Sequence, residues 1–220
     1  MHVVVLATQK GGSGKSTLAI GLAVAAMEHG RRVSIIEADT QGTVSKWGQR
    51  RDKPEPRIER VGNQIEIERL LVRLRQDGFT LAIIDCAATD NVLSRSAIAA
   101  ADLCLIPARP SPADIEAALP TLSAVRAVRK PFAFILNQTP ARSFRIAEAA
   151  VALNSAGLLA LPYIVQRNDH QDALGSGAGV TEYLPSGKAA AEIRDLWHWV
   201  WNRLVNEAAS HEQASVRATG

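Results

Sequence analysis

Cysteine is scarce in this sequence, and no apolar run is long enough to cross a membrane. The two cysteines, Cys86 and Cys104, are too few for a disulfide framework. Both lie in or beside apolar runs, so we expect buried, reduced thiols in a cytoplasmic protein. Because the sequence has no Cys-x-x-Cys motif or cysteine–histidine cluster, a zinc or iron–sulfur site is not expected. The first residues lack the charged segment and cleavage site of a signal peptide, so none is expected.

The bulk composition is that of an ordinary soluble globular protein. Hydrophobic residues make up 47% and charged residues 21% of the 220 positions. A chain of this length buries enough apolar surface to fold without disulfides or a structural metal. The net charge of +3 is only mildly basic. It permits contact with nucleic acid and does not demonstrate it.

Short apolar runs alternate with helical patterns along the chain. The runs are typical of strands buried on both faces, and they cover residues 3–7, 33–37, 81–85, 103–107, 132–137 and 159–164. The segments between them have helical spacing and cover residues 16–29, 43–51, 64–76, 91–100, 112–128 and 143–155. This alternation predicts right-handed βαβ units and an α/β fold with a doubly wound, mostly parallel sheet.

A last helix is predicted over residues 188–208, where apolar side chains recur every three or four positions and form one stripe. Residues 209–220 are polar and rich in small residues, so we expect a disordered tail there. No internal repeat or linker divides the sequence. Residues 1–208 are therefore expected to form a single domain.

A glycine-rich segment follows the first predicted strand and precedes the first predicted helix. Strand, glycine-rich loop and helix in this order are the context of a phosphate-binding loop. The loop would turn its N–H groups towards phosphate oxygens, and the helix would add its positive N-terminal end. The residues expected to bind the nucleotide here are Gly11, Gly12, Ser13, Gly14, Lys15, Ser16 and Thr17.

Three of these residues have specific expected roles. Lys15 would reach the β- and γ-phosphates, the Ser16 hydroxyl would bind Mg²⁺, and Thr17 would reach the α-phosphate. The common pattern of such loops begins with a glycine, which is replaced here by Gln9. A second lysine, Lys10, stands near the start of the loop.

The loop resembles the deviant Walker A motif, K-G-G-x-G-K-[ST], of the ParA/MinD family of P-loop ATPases, and is closest to small plasmid-type ParA proteins. The resemblance implies a P-loop NTPase fold, ATP and Mg²⁺ as ligands, and weak Mg²⁺-dependent hydrolysis of ATP to ADP and phosphate. In that family the early lysine reaches across an ATP-sandwich homodimer to the partner's phosphates, and Lys10 stands at that position. A cation delivered in trans would make dimerisation depend on ATP.

Two acidic residues at strand ends extend the resemblance. Asp39 lies in a segment similar to the family's D-x-D-P-Q-G, which implies that it positions or activates the attacking water. Capping of the next helix is the alternative role for Asp39. Asp85 closes an apolar strand in the Walker B arrangement and would hold Mg²⁺, through water. Glu37 and Thr40 depart from the pattern, which has Asp and Pro there, and residues 86–88 replace the usual T-P-P.

Later segments match parts of the family that lie around the base and the dimer interface. Asn137 matches the asparagine at a strand end that contacts adenine. Pro162 lies in a segment, 161–167, whose backbone borders the base in the family. Residues 106–114 resemble P-x-x-P-S-P-x-D, which lies near the dimer interface, although a proline-rich turn that caps a helix explains them equally well.

The resemblance also implies a cycle that depends on a partner. ATP dimers of ParA-type proteins bind DNA without sequence preference and are released when a ParB-like or other adaptor stimulates hydrolysis. This cycle serves plasmid or chromosome partition or the positioning of cargo, and it implies a cytoplasmic protein that is nucleoid-associated in the ATP state. The candidate phosphate contacts are basic residues, for which a solvated surface is the alternative: Arg142, Arg145, Arg167, Lys188, Arg194 and Arg203.

Other functions remain open at this stage. A MinD-like membrane-associated switch would use a basic amphipathic last helix, but Trp197 and Trp201 share the apolar stripe with Ile193 and Leu204, so we expect packing against the domain rather than membrane contact. Some ParA-like proteins assist conjugative DNA transfer, and a few share the Glu-Ala-Asp of residues 37–39. A metabolic synthetase or a nitrogenase-like reductase is less consistent with the short chain and the isolated cysteines.

Overall fold

The computed structural model describes the backbone of residues 1–218 and the side chains of residues 1–207. Its centre is a six-stranded sheet in the order β3-β2-β4-β1-β5-β6, in which all neighbouring strands are parallel. The strands are β1 His2–Leu6, β2 Val33–Ala38, β3 Arg57–Arg60, β4 Leu81–Cys86, β5 Leu103–Ala108 and β6 Phe132–Leu136. The predicted doubly wound parallel sheet is confirmed.

Helices cover both faces of the sheet. They are α1 Lys15–Glu28, α2 Thr43–Arg50, α3 Gln64–Gln76, α4 Val92–Ala100, α5 Pro112–Ala127, α6 Arg145–Ala156, α7 Asn168–Gly175, α8 Val180–Tyr183 and α9 Lys188–Ala218. Alternate side chains of each strand point to opposite faces, so the sheet separates two cores. Val4 and Leu6 of β1 pack with α1 and α9, whereas Val3 and Val5 pack with α3, α4, α5 and α6.

Strand β3 and helices α7 and α8 were not predicted, and the strand predicted over residues 159–164 is absent from the described sheet. β3 was not predicted because it is a charged strand at the edge of the sheet, and such strands show little apolar periodicity. The segment at 159–164 runs beside β6 but forms only isolated bridges, Phe134 with Leu159 and Thr139 with Val165. Pro162 lies between them and has no N–H to continue the ladder.

The last helix packs against the domain, as its apolar stripe predicted, and its partner there is α1. Ile193, Trp197 and Leu204 are buried, and Ile193 comes within 3.4 Å of the position that a Cβ on Gly21 would take. The helix continues to Ala218, so the backbone of residues 209–218 is helical where a disordered tail was expected. Three of these ten residues are alanine, and one each is glutamate, glutamine and arginine, all of which are good helix formers. Residues 219 and 220 lie outside the described chain.

Candidate nucleotide-binding site

The glycine-rich loop joins the carboxyl end of β1 to the start of α1. β1 lies between β4 and β5, at the point where the strand order reverses, and ligands of open parallel sheets bind at such a point. Gly12 and Gly14 have φ values of +74° and +90°, which favour glycine. A side chain on Gly14 would also collide with the Asn137 amide nitrogen. Gly12 is therefore favoured by its backbone conformation alone, and Gly14 by both its conformation and the lack of space for a side chain.

Lys15 lies across the mouth of this loop and is only 7% exposed. Its ammonium donates hydrogen bonds to the carbonyl oxygens of Thr8, at 3.2 Å, and Lys10, at 3.3 Å. Burial lowers the pKa of Lys15, and the nearby carboxylates of Asp85 and Asp39 oppose that shift. A cation held in such a desolvated loop is suited to an anionic ligand such as a phosphate.

Asp85 lies at the end of β4 beside the loop and is 1% exposed. Burial raises the pKa of Asp85 to about 7, and the charges of Asp39 and Glu37 also raise it. The Ser16 hydroxyl is close enough to oppose this shift, yet neither Asp85 oxygen completes a hydrogen bond within the described residues. A buried carboxylate without a partner is costly. Together with the Ser16 hydroxyl it forms the oxygen-donor set that Mg²⁺ prefers.

Asp39 lies in the loop between β2 and α2 and is partly exposed. One of its carboxylate oxygens accepts a hydrogen bond of 2.9 Å from the backbone N–H of Gln41. Its charge acts on both Lys15 and Asp85, so the fold brings these three predicted residues together. Asp39 accepts no hydrogen bond from the first turn of α2 in the described structure, so the alternative role as a helix cap is not supported.

Glu37 caps α2 instead, and the sequence analysis missed this role. Its Oε1 accepts hydrogen bonds from the backbone N–H of Val44, at 2.7 Å, and of Ser45, at 3.2 Å. Its Oε2 accepts a third from the Ser45 hydroxyl. The available signal was a lone acidic side chain inside an otherwise apolar strand, because such a group needs partners when it is buried.

A cavity of about 100 Å³ lies beside the loop, on the side where the sequence predicts the nucleotide base. Asn137 lines it and donates a hydrogen bond of 2.7 Å to the carbonyl of Ser13, so it is also a support for the loop. Pro162, predicted to border the base, does not line this cavity. The rest of the predicted segment 161–167 does line it, through Ile164, Val165, Gln166 and Arg167. His170 and Gln171 of α7 also line it and were not predicted.

Lys10 is partly exposed, and its charge reaches Asp114 in the first turn of α5. Burial alone would raise the pKa of Asp114 in α5, but hydrogen bonds from Arg109 and Ser111 and the charges of Arg109 and Lys10 lower it. The Arg109 guanidinium lies 2.9 Å from the Asp114 carboxylate. The segment at 106–114 therefore lies beside the second lysine, and Ser111 also caps α5 through the N–H of Asp114.

The six basic residues predicted to contact DNA differ in whether they form ion pairs. Three are in ion pairs: Arg167 with Glu192 at 2.5 Å, Arg194 with Glu28 at 2.7 Å, and Arg203 with Glu207 at 2.5 Å. The other three, Arg142, Arg145 and Lys188, are exposed and have no ion pair among the residues whose side chains are described. Arg145 also lines a surface cavity of about 480 Å³ between α5 and α6.

One family profile matches most of the chain. The family profile described as the CobQ/CobB/MinD/ParA nucleotide binding domain matches residues 4–180. The chain belongs to this family. Within it, the chain is similar to "Maintenance of carboxysome distribution protein A" from two organisms. The protein of Halothiobacillus neapolitanus is 26% identical, over 85% of this chain and 90% of the relative. That of Gloeobacter kilaueensis is 30% identical, over 87% and 88%.

Other members match over a shorter length or by structure. Protein ParA of Rhizobium radiobacter is 33% identical over 52% of this chain and 51% of the relative. The septum site-determining protein MinD of Pyrococcus horikoshii, solved with Mg-ADP, superposes with a TM-score of 0.77, 19% identity and coverage of 90% and 95%. A Cyanothece McdA(D38A)-ATP complex superposes with a TM-score of 0.75, 20% identity and coverage of 93% and 96%. These two structures share the fold of this ParA/MinD-family chain.

Proposed function

We propose that this chain is a weak Mg²⁺-dependent ATPase that forms an ATP-sandwich dimer and uses slow hydrolysis as a switch to position a cargo. The observation that carries the proposal is the cluster of Lys15, Asp39 and Asp85 around a glycine-rich loop, to which the partly exposed Lys10 also belongs. This set contains the charges that a Mg²⁺–triphosphate requires. Family members solved with ATP or with Mg-ADP support this choice of ligands.

Each group has a defined part in the proposed reaction. The loop amides and Lys15 bind the β- and γ-phosphates, and Ser16 and Asp85 hold Mg²⁺, the latter through water. Thr17 contacts the α-phosphate, and Asn137 and residues 164–167, which follow Pro162, border the base. Asp39 orients the attacking water, because it is the remaining carboxylate near Lys15 that is not buried.

Lys10 gives the proposed switch its dependence on a second subunit. Lys10 is partly exposed, and in the proposed dimer its ammonium contacts the phosphates of the nucleotide that the other subunit binds. A cation supplied in trans stabilises the charge on the phosphates only when two subunits meet, so nucleotide binding and dimerisation are coupled. Hydrolysis would remove the γ-phosphate, and the dimer would then lose the phosphate charge that Lys10 of the other subunit stabilises.

The proposed cargo is a protein assembly or a DNA molecule carried over the nucleoid. The relatives named for carboxysome distribution align over most of the chain, which favours a protein assembly, whereas the match to ParA covers about half of it. Non-specific DNA would be bound by the ATP dimer, and an adaptor protein would stimulate its release. The unpaired residues Arg142, Arg145 and Lys188 are the first candidates for phosphate contacts.

A membrane-associated switch receives less support. Within the part of the chain that the structure describes, no helix combines the length and apolar character needed to cross a bilayer. The tryptophans that would favour an interfacial helix are largely inside, since Trp197 is 2% exposed and Trp201 packs against the core. The apolar stripe of α9 is therefore already occupied.

The test is the mass of the protein in solution, measured by light scattering after size exclusion. With Mg²⁺ and a non-hydrolysable ATP analogue we expect a dimer, and with Mg-ADP a monomer. Retention of DNA by the dimer at low salt, and its loss as salt rises, would extend the result to the nucleoid. A chain that binds the analogue and remains a monomer at all concentrations would contradict the proposed switch.

A further inference from the structure

Glu37 is a buried carboxylate at the edge of the proposed reaction site. It is 1% exposed and occupies the position on β2 that pairs with Asp85 on β4 and with Arg60 on β3. Residues in register on neighbouring parallel strands point to the same face of the sheet. Glu37 thus lies on the face that carries Asp85, and its charge reaches that residue.

The hydrogen bonds of Glu37 all lead to the start of α2. The backbone N–H groups of Val44 and Ser45 and the Ser45 hydroxyl donate to it. The N-cap of this helix is Gly42, which has no side chain and cannot cap. A carboxylate from another element takes over this function and also interacts favourably with the helix dipole. On its outer side, the exposed Arg60 guanidinium lies 3.5 Å from Glu37.

The loop that carries Asp39 connects Glu37 at the end of β2 to the first turn of α2, which Glu37 caps. Only residues 39–42 separate the end of β2 from the first residue of α2. Within the loop, the N–H groups of Gln41 and Gly42 donate to the Asp39 side chain and carbonyl, at 2.9 and 3.2 Å. Because the loop is so short, the position of the first turn of α2 fixes the position of Asp39.

Helix α2 is also held from its other end. Trp47 is fully buried and its indole N–H donates to the carbonyl of Ala178 at 3.0 Å. Just beyond the helix, Arg51 forms an ion pair of 2.7 Å with Glu182. These contacts would keep the helix in place if the Glu37 cap were lost. Removal of the cap should therefore loosen the first turn and the loop without unfolding the domain.

We propose that Glu37 is a positioning residue: it clamps the first turn of α2 to the Mg²⁺ side of the sheet and thereby holds Asp39 at the reacting phosphate. This inference rests on the proposed ATPase function. Glu37 itself touches neither nucleotide nor water in this scheme. Its loss should reduce the turnover number while leaving the affinity for ATP nearly unchanged, since the phosphate loop lies on a different segment.

The test measures turnover, nucleotide affinity and amide exchange in the full chain. Glu37→Ala should lower kcat roughly ten- to hundredfold with a change in the Kd for ATP below about twofold, and should speed hydrogen exchange at Val44 and Ser45. Glu37→Asp keeps the charge on a shorter arm and should recover part of both losses. Ser45→Ala, which removes only the hydroxyl bond, and Arg60→Gln, at the exposed rim, are matched controls with smaller expected effects.

The outcomes separate this inference from the proposed function. If the wild type hydrolyses ATP and Glu37→Ala keeps its kcat, or loses kcat and ATP affinity in equal proportion, the positioning role is overturned. If the wild type does not hydrolyse ATP, the proposed function fails, and unchanged exchange at Val44 and Ser45 in Glu37→Ala would overturn the clamp as well. Should Glu37→Ala not fold, Glu37→Gln, which keeps one carbonyl acceptor, is assessed by the same criteria.

Discussion

The charged groups around the phosphate loop and the basic residues predicted to contact DNA differ in whether they have partners in the structure. The surface that carries these basic residues is called the outer surface below. On the phosphate side Asp85 is buried and accepts no hydrogen bond from the described residues. On the outer surface Arg167, Arg194 and Arg203 are already paired with glutamates. A buried carboxylate without a hydrogen-bond partner takes up a proton or binds a cation, whereas a paired surface charge needs neither. The phosphate site is thus built before its ligand arrives, and a DNA-binding surface must come from other residues or from a second subunit.

The largest loss of ATP binding should follow from substitution of Lys15 in the phosphate loop. Lys15→Ala should abolish measurable ATP binding, because the loop then lacks the cation that neutralises the β- and γ-phosphates. Isothermal titration with Mg-ATP is the measurement. Lys130→Ala, before β6 at the opposite end of the sheet, is the matched control and should bind as the wild type does. An ATP affinity of Lys15→Ala similar to that of the wild type would contradict the assignment of the phosphate site to this loop.

Substitution of Asp39 should distinguish ATP binding from ATP hydrolysis at the same site. Asp39→Ala should still bind ATP but lose roughly a hundredfold in turnover, because water is no longer oriented. The protein should then remain in the ATP-bound dimer, seen as a stable high-mass species with hydrolysable ATP. Turnover equal to that of the wild type would assign Asp39 to the turn with Gln41 alone.

Lys10 tests whether the second lysine acts between subunits. Lys10→Ala should bind ATP within about threefold of the wild-type affinity and fail to dimerise, because its charge contributes only across the interface. Sedimentation with a non-hydrolysable analogue measures both species. A full-strength dimer of the variant would show that the interface does not need this charge.

The raised pKa of Asp85 predicts a pH dependence of stability. Burial raises this pKa to about 7, so without ligands the folded chain holds a proton that the unfolded chain releases near pH 4. The free energy of unfolding should therefore fall as the pH rises from about 4 to about 7. Asp85→Asn should lack this part of the decline in urea unfolding curves. Mg²⁺-dependent nucleotide affinity should change in the opposite sense, since Mg²⁺ needs the ionised carboxylate. Identical pH profiles for the two proteins would contradict this account of Asp85.

The smallest effects are expected on the outer surface. Replacing Arg142 and Arg145 together by alanine should weaken DNA binding by the ATP dimer severalfold and reduce its salt dependence. Arg203→Ala, whose charge is already paired with Glu207, should change it less. Filter binding at several salt concentrations compares the two. A larger loss in Arg203→Ala would reverse the assignment of the surface.

The phosphate side could be predicted from sequence because its groups are consecutive or lie at strand ends. Residues 10–17 carry a motif, and an acid that ends an apolar strand is visible without a structure. The cap from Glu37 to α2 could not be assigned from the local sequence, because Asp39 is nearer to the helix and only the structure shows that Glu37 reaches its first turn. The ion pairs of Arg167 and Arg194 join distant segments, so no local pattern shows that these charges are paired. β3 was missed because edge strands need little apolar character.

The most direct test is a structure of the complex with Mg²⁺ and a non-hydrolysable ATP analogue. The account predicts two subunits face to face, with Lys15 of one subunit and Lys10 of its partner on the same triphosphate, and Asp85 beside the Mg²⁺. A single subunit that holds the analogue while Lys10 points into solvent would contradict the switch.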